Sequence, residues 1–157
     1  DGVDNYLKCA AFTLNQPETV YILASQVSWT SGDYVYDGNA NDSLALAQVG
    51  VSPNLVFNTS GGVNTNLTGE PALGVYGVFT VVFNGASSVG QVNNGAEATG
   101  DAGLTNAGGF ALGVRGGAAG NFANIQVKEV ILFAAVHDAA TRARVIRYLS
   151  MVGQLAL

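Results

Sequence analysis

Gly74-Val-Tyr-Gly-Val-Phe-Thr-Val-Val-Phe83 is followed at once by Asn84-Gly85, and a second Asn-Gly pair, Asn94-Gly95, comes ten residues later. Val75, Phe79, Val81 and Phe83 share one parity, with Gly77 as the gap among them. That is the period-two spacing of a strand with one face in a core. Asn and Gly tolerate the positive φ that tight hairpins require, so Ser88 to Val92 is predicted as a short strand between two turns. A helix across 84–103 is disfavoured, because each Gly in a helix interior costs about 1 kcal/mol.

The same reading extends in both directions. Phe12 to Leu14 reads as an entry segment, separated by Pro17 from a strand over Thr19-Val-Tyr-Ile-Leu-Ala24. Val20 to Leu23 is apolar without interruption, which predicts burial on both faces. Tyr34 to Tyr36 is a short strand closed by an Asp37-Gly38 turn, and Leu44 to Val49 and Asn54 to Phe57 are further strands separated by Gly50 and Pro53. Phe110 to Val114 and Ile125 to Val136 complete the set. One helix is predicted, from Asp138 as N-cap to Val152, with an apolar stripe of Val145, Ile146, Leu149 and Val152 and Gly153 as the stop. Short strands joined by turns, with one helix at the end, predict an all-β, two-sheet antiparallel β-sandwich.

Composition bounds the function. The 157 residues suit one domain, 1–157, and 21 glycines placed between apolar runs fit turns rather than a helical bundle. A net charge of −5 with only six Lys and Arg argues against nucleic acid as a partner. Three of those six, Arg142, Arg144 and Arg147, lie in the predicted helix, where solvated charge is the simplest reading. No apolar run approaches the roughly 18 residues of a transmembrane helix, so no membrane insertion is expected. With no initiating Met, the chain reads as a processed product or an excised domain. The lone Cys9 has no intrachain disulfide partner and reads as a small packed side chain. The sequons at Asn41, Asn58 and Asn66 are of a kind that arises by chance in an Asn- and Thr-rich chain.

Catalytic patterns are missing. Retaining glycosidases need a nucleophile and an acid flanking one bond. Here Glu97 and Asp101 sit four apart in a Gly-rich stretch, and Glu129 is alone on its strand. His137 is the only histidine, and no G-x-S-x-G elbow occurs, so a packing or capping role is expected for it. Gly108-Gly109 and Gly116-Gly117 lack the spacing of a phosphate loop.

Several segments together resemble the laminin-G-like, concanavalin A-like jelly-roll domains of phage virion and bacterial surface proteins. Asp1-Gly-Val-Asp-Asn-Tyr-Leu7 is similar to the family's first strand and Phe12-Thr-Leu-Asn-Gln-Pro-Glu-Thr-Val-Tyr-Ile22 to the segment after it. Gly74 to Phe83, Asn94-Gly95, Ala111-Leu-Gly113, Glu129-Val-Ile-Leu-Phe133 and Asp138 to Leu149 follow in the family's order. The sequence departs from the pattern at His137, where the family generally carries Leu, and at Thr141, where a Glu would complete a capping box. The resemblance implies that the first strand pairs with the late strand at Glu129 to Phe133. It also implies a non-catalytic adhesion or binding module of a virion, extracellular or cell-surface protein, with glycans or neighbouring structural subunits as partners. A homo-oligomer, or a purely architectural virion subunit, is the alternative expectation, and a polysaccharide hydrolase is a third.

Within that frame the candidate ligand surface is Trp29 to Asp42, which gathers Trp29, Asp33, Tyr34, Tyr36, Asp37, Asn39 and Asp42. Sugar binding needs an aromatic face for the C–H side of a pyranose and Asp or Asn for its hydroxyls. No cofactor is required; the same carboxylates and carbonyls are also of the type that holds Ca2+, which some relatives bind. The competing reading is ordinary: Asp and Asn as turn residues, Trp29 and the tyrosines as core.

Overall fold

A computed structural model describes residues 2–117 and 120–157. Among them are eleven strands: β1 (Leu7–Lys8), β2 (Glu18–Gln26), β3 (Tyr34–Asp37), β4 (Ala45–Gln48), β5 (Leu55–Asn58), β6 (Thr65–Asn66), β7 (Tyr76–Phe83), β8 (Ser88–Val92), β9 (Ala98–Gly100), β10 (Ala111–Leu112) and β11 (Ile125–Phe133). One helix, α1 (Ala139–Gly153), follows. The strands form two antiparallel sheets, ordered β1-β10-β3-β4-β5-β6 and β11-β2-β7-β8-β9. This is the two-sheet sandwich with one C-terminal helix that the turn-punctuated sequence predicts.

β2 and β7 place two cores back to back. Val20, Ile22, Phe79, Val81 and Phe83 face the other sheet and pack with Tyr36, Leu44, Leu46, Leu55 and Phe57. Tyr21, Leu23 and Val78, of the opposite parity, face α1 and pack with Ile146 and Leu149. The uninterrupted apolar run of β2 is therefore buried on both faces, because the helix covers what would otherwise be the solvent side.

Three expectations change. The opening segment contributes only Leu7 and Lys8 to a sheet, and they pair with Leu112 and Ala111 of β10. β11 pairs with β2 in the other sheet, so the first and late strands are not partners; Asp1 lies outside the described residues. The left-handed residue at the second Asn-Gly turn is Asn93, at φ 53°, whose Oδ1 also accepts from the Val78 N–H at 2.8 Å. The helix stripe is rotated from the one expected: Arg142, Ile146, Leu149, Ser150 and Gly153 are buried, while Val152 is 41% exposed. Arg142 earns that place by pairing with Glu97 and donating to the His137 carbonyl at 2.7 Å. β6 and β9 were not anticipated, being too short to show a period.

The helix starts as predicted, with Asp138 Oδ1 accepting the Thr141 N–H at 2.8 Å, a cap of about 1 kcal/mol. His137 is a packing residue. Its Nδ1 lies 2.9 Å from the Tyr21 hydroxyl and its ring 4.3 Å from that of Phe133. Gly153 is the last helical residue, and Gln154 takes the left-handed cap conformation.

One inward carboxyl lacks any polar partner among the described residues. Glu18 opens β2 with the parity of Val20 and Ile22, is fully buried, and neither carboxyl oxygen has a partner in the protein. Burial pushes its pKa up to about 8. The Tyr36 hydroxyl, close enough to feel the Glu18 charge, is likewise buried without a partner.

The two sides of the sandwich differ. At one, β6 and β9 meet so closely that a Cβ at Gly100 would lie 2.0 Å from Thr65 Oγ1. The Val63 N–H donates to the Asp101 carbonyl beside them at 2.8 Å. At the other side, β1 and β11 are the terminal strands of their sheets.

Candidate functional site

The predicted surface begins at Trp29, but the structure divides it into three places. Trp29 and Asp33 sit at one end of the sheet. Trp29 Nε1 donates to the Asn54 carbonyl at 3.0 Å, and the Asp33 carbonyl accepts from the Gln48 N–H at 2.8 Å. Tyr36 and Asp37 are buried. Tyr34, Asn39 and Asp42 remain together at the surface. A bulge between Tyr34 and Tyr36 explains the division, since it shifts the register with β4 and lets both Val35 and Tyr36 enter the core.

Asp37 organises the surface without being part of it. Its Oδ1 accepts from the N–H groups of Gly38 (2.8 Å) and Leu44 (3.2 Å). Its Oδ2 accepts from Asp42 and Gly116, both at 2.9 Å. One carboxylate thus shapes the 38–44 loop and ties it to the 113–117 loop. Burial pushes its pKa up, and the four N–H donors pull in the opposite direction. The contact needs glycine, because a Cβ at Gly116 would lie 2.1 Å from the Gly38 carbonyl oxygen.

On this frame Asp42, held at φ 54°, accepts a hydrogen bond from the Tyr34 hydroxyl on Oδ1 and pairs with the Arg115 guanidinium on Oδ2. Arg115 also lies over the Tyr34 ring, 5.7 Å from its centroid. Burial, then the hydrogen bond and charge of Asp42, raise the Tyr34 pKa, so the phenol is a fixed donor. Asn41 Oδ1 accepts from the Gly117 N–H at 2.8 Å, and Tyr34 donates its own N–H to the Asn121 carbonyl at 3.2 Å. Arg115, Asn41 and Asn121 were not foreseen as members. Arg115 is 73 residues from Asp42, and only its position beside Gly116-Gly117, where backbones approach closely, hinted at a packed loop.

For calcium, the oxygens are already engaged. The Lys8 ammonium donates to the Asn39 carbonyl at 3.0 Å and to the Gly116 carbonyl, so a tethered cation occupies that cradle. Among the described residues no group of three or more His, Cys, Asp or Glu side chains converges on one point. Three carboxylates elsewhere have local partners: Glu97 pairs with Arg142, Asp101 Oδ1 accepts from the Gly103 N–H at 2.9 Å, and Glu129 accepts from the Tyr148 hydroxyl at 3.0 Å. What the Tyr34–Asp42–Arg115 cluster offers is a pre-set array: an aromatic ring, a guanidinium, a carboxylate and neighbouring amides.

No protein-family model matches the sequence, and no curated protein matches it. Solved structures of the same fold do. Trypanosoma rangeli sialidase, as its covalent intermediate with 2,3-difluorosialic acid, superposes with a TM-score of 0.67 at 13% identity, over 89% of this chain and 24% of that one. The botulinum neurotoxin type C structure, described in terms of cell entry through two ganglioside molecules, gives 0.62 at 14% identity, over 84% of this chain and 35% of that one. The NanB sialidase of Streptococcus pneumoniae gives 0.59 at 15%, over 81% and 23%. The chain thus spans about a quarter to a third of the length of the proteins it resembles, and the likeness is one of fold.

Proposed function

We propose that this β-sandwich is a non-catalytic glycan-binding module of a larger virion or cell-surface protein, of the laminin-G-like kind, with Tyr34, Asp42 and Arg115 at the centre of its binding surface. The observation that carries the reading is the Asp37-organised cluster. Its donors and acceptors are fixed before any ligand arrives, so little ordering cost remains for binding. A partly exposed guanidinium and carboxylate with Asn39 and Asn41 beside them suit hydroxyl and carboxylate groups, and the Tyr34 ring supplies apolar area. The similarly folded proteins described with sialic acid or gangliosides support a glycan as the ligand class.

A glycan array spanning neutral and sialylated oligosaccharides, followed by calorimetry, tests the proposal. Binding that is lost in Arg115→Ala supports it. No binding across the array refutes the lectin reading, and turnover of any oligosaccharide refutes the non-catalytic one. An architectural role in packing against neighbouring subunits is the second reading, favoured by the exposed apolar residues around the open side of the sandwich, among them Tyr6, Leu7, Phe133 and Val136.

A further inference from the structure

The Tyr34–Asp42–Arg115 cluster does not end at Tyr34. Phe122 is bridged to Tyr34, so the two side chains stand side by side on one face of the sheet, the face that carries Asp42 and Arg115. Tyr6, from the segment entering β1, stacks on Phe122 with ring centroids 5.9 Å apart and planes at 29°. Arg115, Tyr34, Phe122 and Tyr6 thus make one continuous strip, although distant parts of the chain supply them. Tyr6 is 56% exposed, so folding leaves much of its ring available to a ligand.

At Tyr6 the strip opens into a groove of about 430 Å³ between β1 and β11, a size at which small-ligand sites are found. Leu7, Ile125 and Val127 give it apolar walls beside the Tyr6 ring. Gly113, also on the lining, leaves polar groups open to it. The place a Cβ would take there is bordered by the carbonyl oxygens of Ala123 and Asn5, 3.6 and 3.7 Å away. Asn5, itself exposed, adds a side-chain amide. An aromatic ring and aliphatic walls suit the C–H face of a pyranose, and carbonyls with an amide suit its hydroxyls. An acyl chain or an apolar side chain in the same place would bury those carbonyls without a donor, which is costly.

We propose that this groove is a second sugar subsite and that the ligand is an oligosaccharide held at two points. One sugar sits at Arg115 and Asp42, another is seated in the groove against Tyr6, and the chain between them crosses Tyr34 and Phe122. The inference rests on the glycan reading of the cluster and adds a requirement for length. The Tyr34 and Phe122 backbones lie one strand spacing apart, about 4.8 Å, and Arg115 and Tyr6 stand a further ring away on either side, so a single pyranose does not reach both ends. Tyr6 is then the residue that selects chain length, because the second contact forms at the high effective concentration set by the first.

Calorimetry with 3′-sialyllactose and cellotetraose, one acidic and one neutral oligosaccharide, tests this, with N-acetylneuraminic acid and glucose as their single-sugar counterparts and decanoate as an apolar probe. At least one oligosaccharide should bind about tenfold or more tighter than its single sugar. Tyr6→Ala should bring that oligosaccharide down to the affinity of the single sugar and leave the single sugar unaffected, whereas Tyr6→Phe, which keeps the ring, should bind as wild type. Val127→Trp fills the groove and should act like Tyr6→Ala. Tyr6 and Val127 are 56% and 37% exposed, so all three variants should fold with unchanged thermal unfolding. An oligosaccharide lost in Arg115→Ala but bound alike by wild type and Tyr6→Ala overturns the subsite and leaves the glycan reading standing. So does a single sugar that binds as tightly as its oligosaccharide. If neither oligosaccharide binds, the subsite is overturned, whether the groove takes decanoate or nothing, and the glycan reading falls with it only if the wider array is also empty.

Discussion

The Asp37 carboxylate and the Gly116 N–H meet at 2.9 Å across 79 residues of sequence, and that bond, with Asn41–Gly117 and Asp42–Arg115 beside it, fastens the loop carrying Arg115 to the loop carrying Asp42. Asp37 is the point on which the arrangement of the surface depends. In Asp37→Ala four backbone donors lose their acceptor in a buried setting, where each unsatisfied group costs about 1–3 kcal/mol. The variant should lose about 3 kcal/mol or more in urea denaturation. If it unfolds at the wild-type midpoint, Asp37 does not organise these loops.

Arg115 behaves differently. Its ion pair with Asp42 is about one-third exposed, and pairs of that kind contribute about 0–1 kcal/mol. Arg115→Ala should therefore keep its stability within about 1 kcal/mol while losing binding to whatever glycan the wild type retains. Comparable losses in stability and in binding would show that the residue is structural.

Glu18 sets a pH dependence. Its folded pKa of about 8 lies above the ordinary value of 4.5, so folding favours the protonated acid. This contribution is fully present below about pH 4.5, declines as pH rises from there, and is gone above about pH 8. Thermal unfolding of Glu18→Gln, compared with wild type from pH 5 to 9, should show the variant gaining relative stability as pH rises. Parallel curves across that range would place the carboxyl in a solvated or paired setting instead.

The helix offers a direct check on its buried stripe. Leu149 is fully buried against Tyr21, Leu23 and Val78, and Leu149→Ala should cost about 2–5 kcal/mol. Val152, on the solvent side, should tolerate Ala within about 0.5 kcal/mol. Equal losses in denaturant melts would restore the unrotated stripe.

Local pattern made much of this readable. The parity of Phe79, Val81 and Phe83, the apolar run of Val20 to Leu23 and the cap at Asp138 each depend on residues within a few positions of one another, and each is found as predicted. The partner of the opening segment was not readable that way, because a two-residue strand carries no period and its pairing with Ala111 and Leu112 is set by the whole sandwich. The helix stripe was misjudged because Arg142 reads as a surface residue until Glu97 and the His137 carbonyl are brought to it. At the surface cluster, aromatic and acidic composition pointed to Tyr34 and Asp42. The bulge that sends Tyr36 inward left no mark in the sequence, and neither did the distant loops that supply Arg115 and Lys8.

Because β2 and β7 hold one apolar layer toward the facing sheet and another toward α1, the protein has a detachable third tier. Lifting the helix would uncover Tyr21, Leu23 and Val78 yet leave the inter-sheet packing of Ile22, Phe79 and Phe83 in place. Amides of 139–153 are thus positioned to exchange with solvent through a partial opening of lower free energy than global unfolding, while those of the central strands wait for the whole sandwich to come apart.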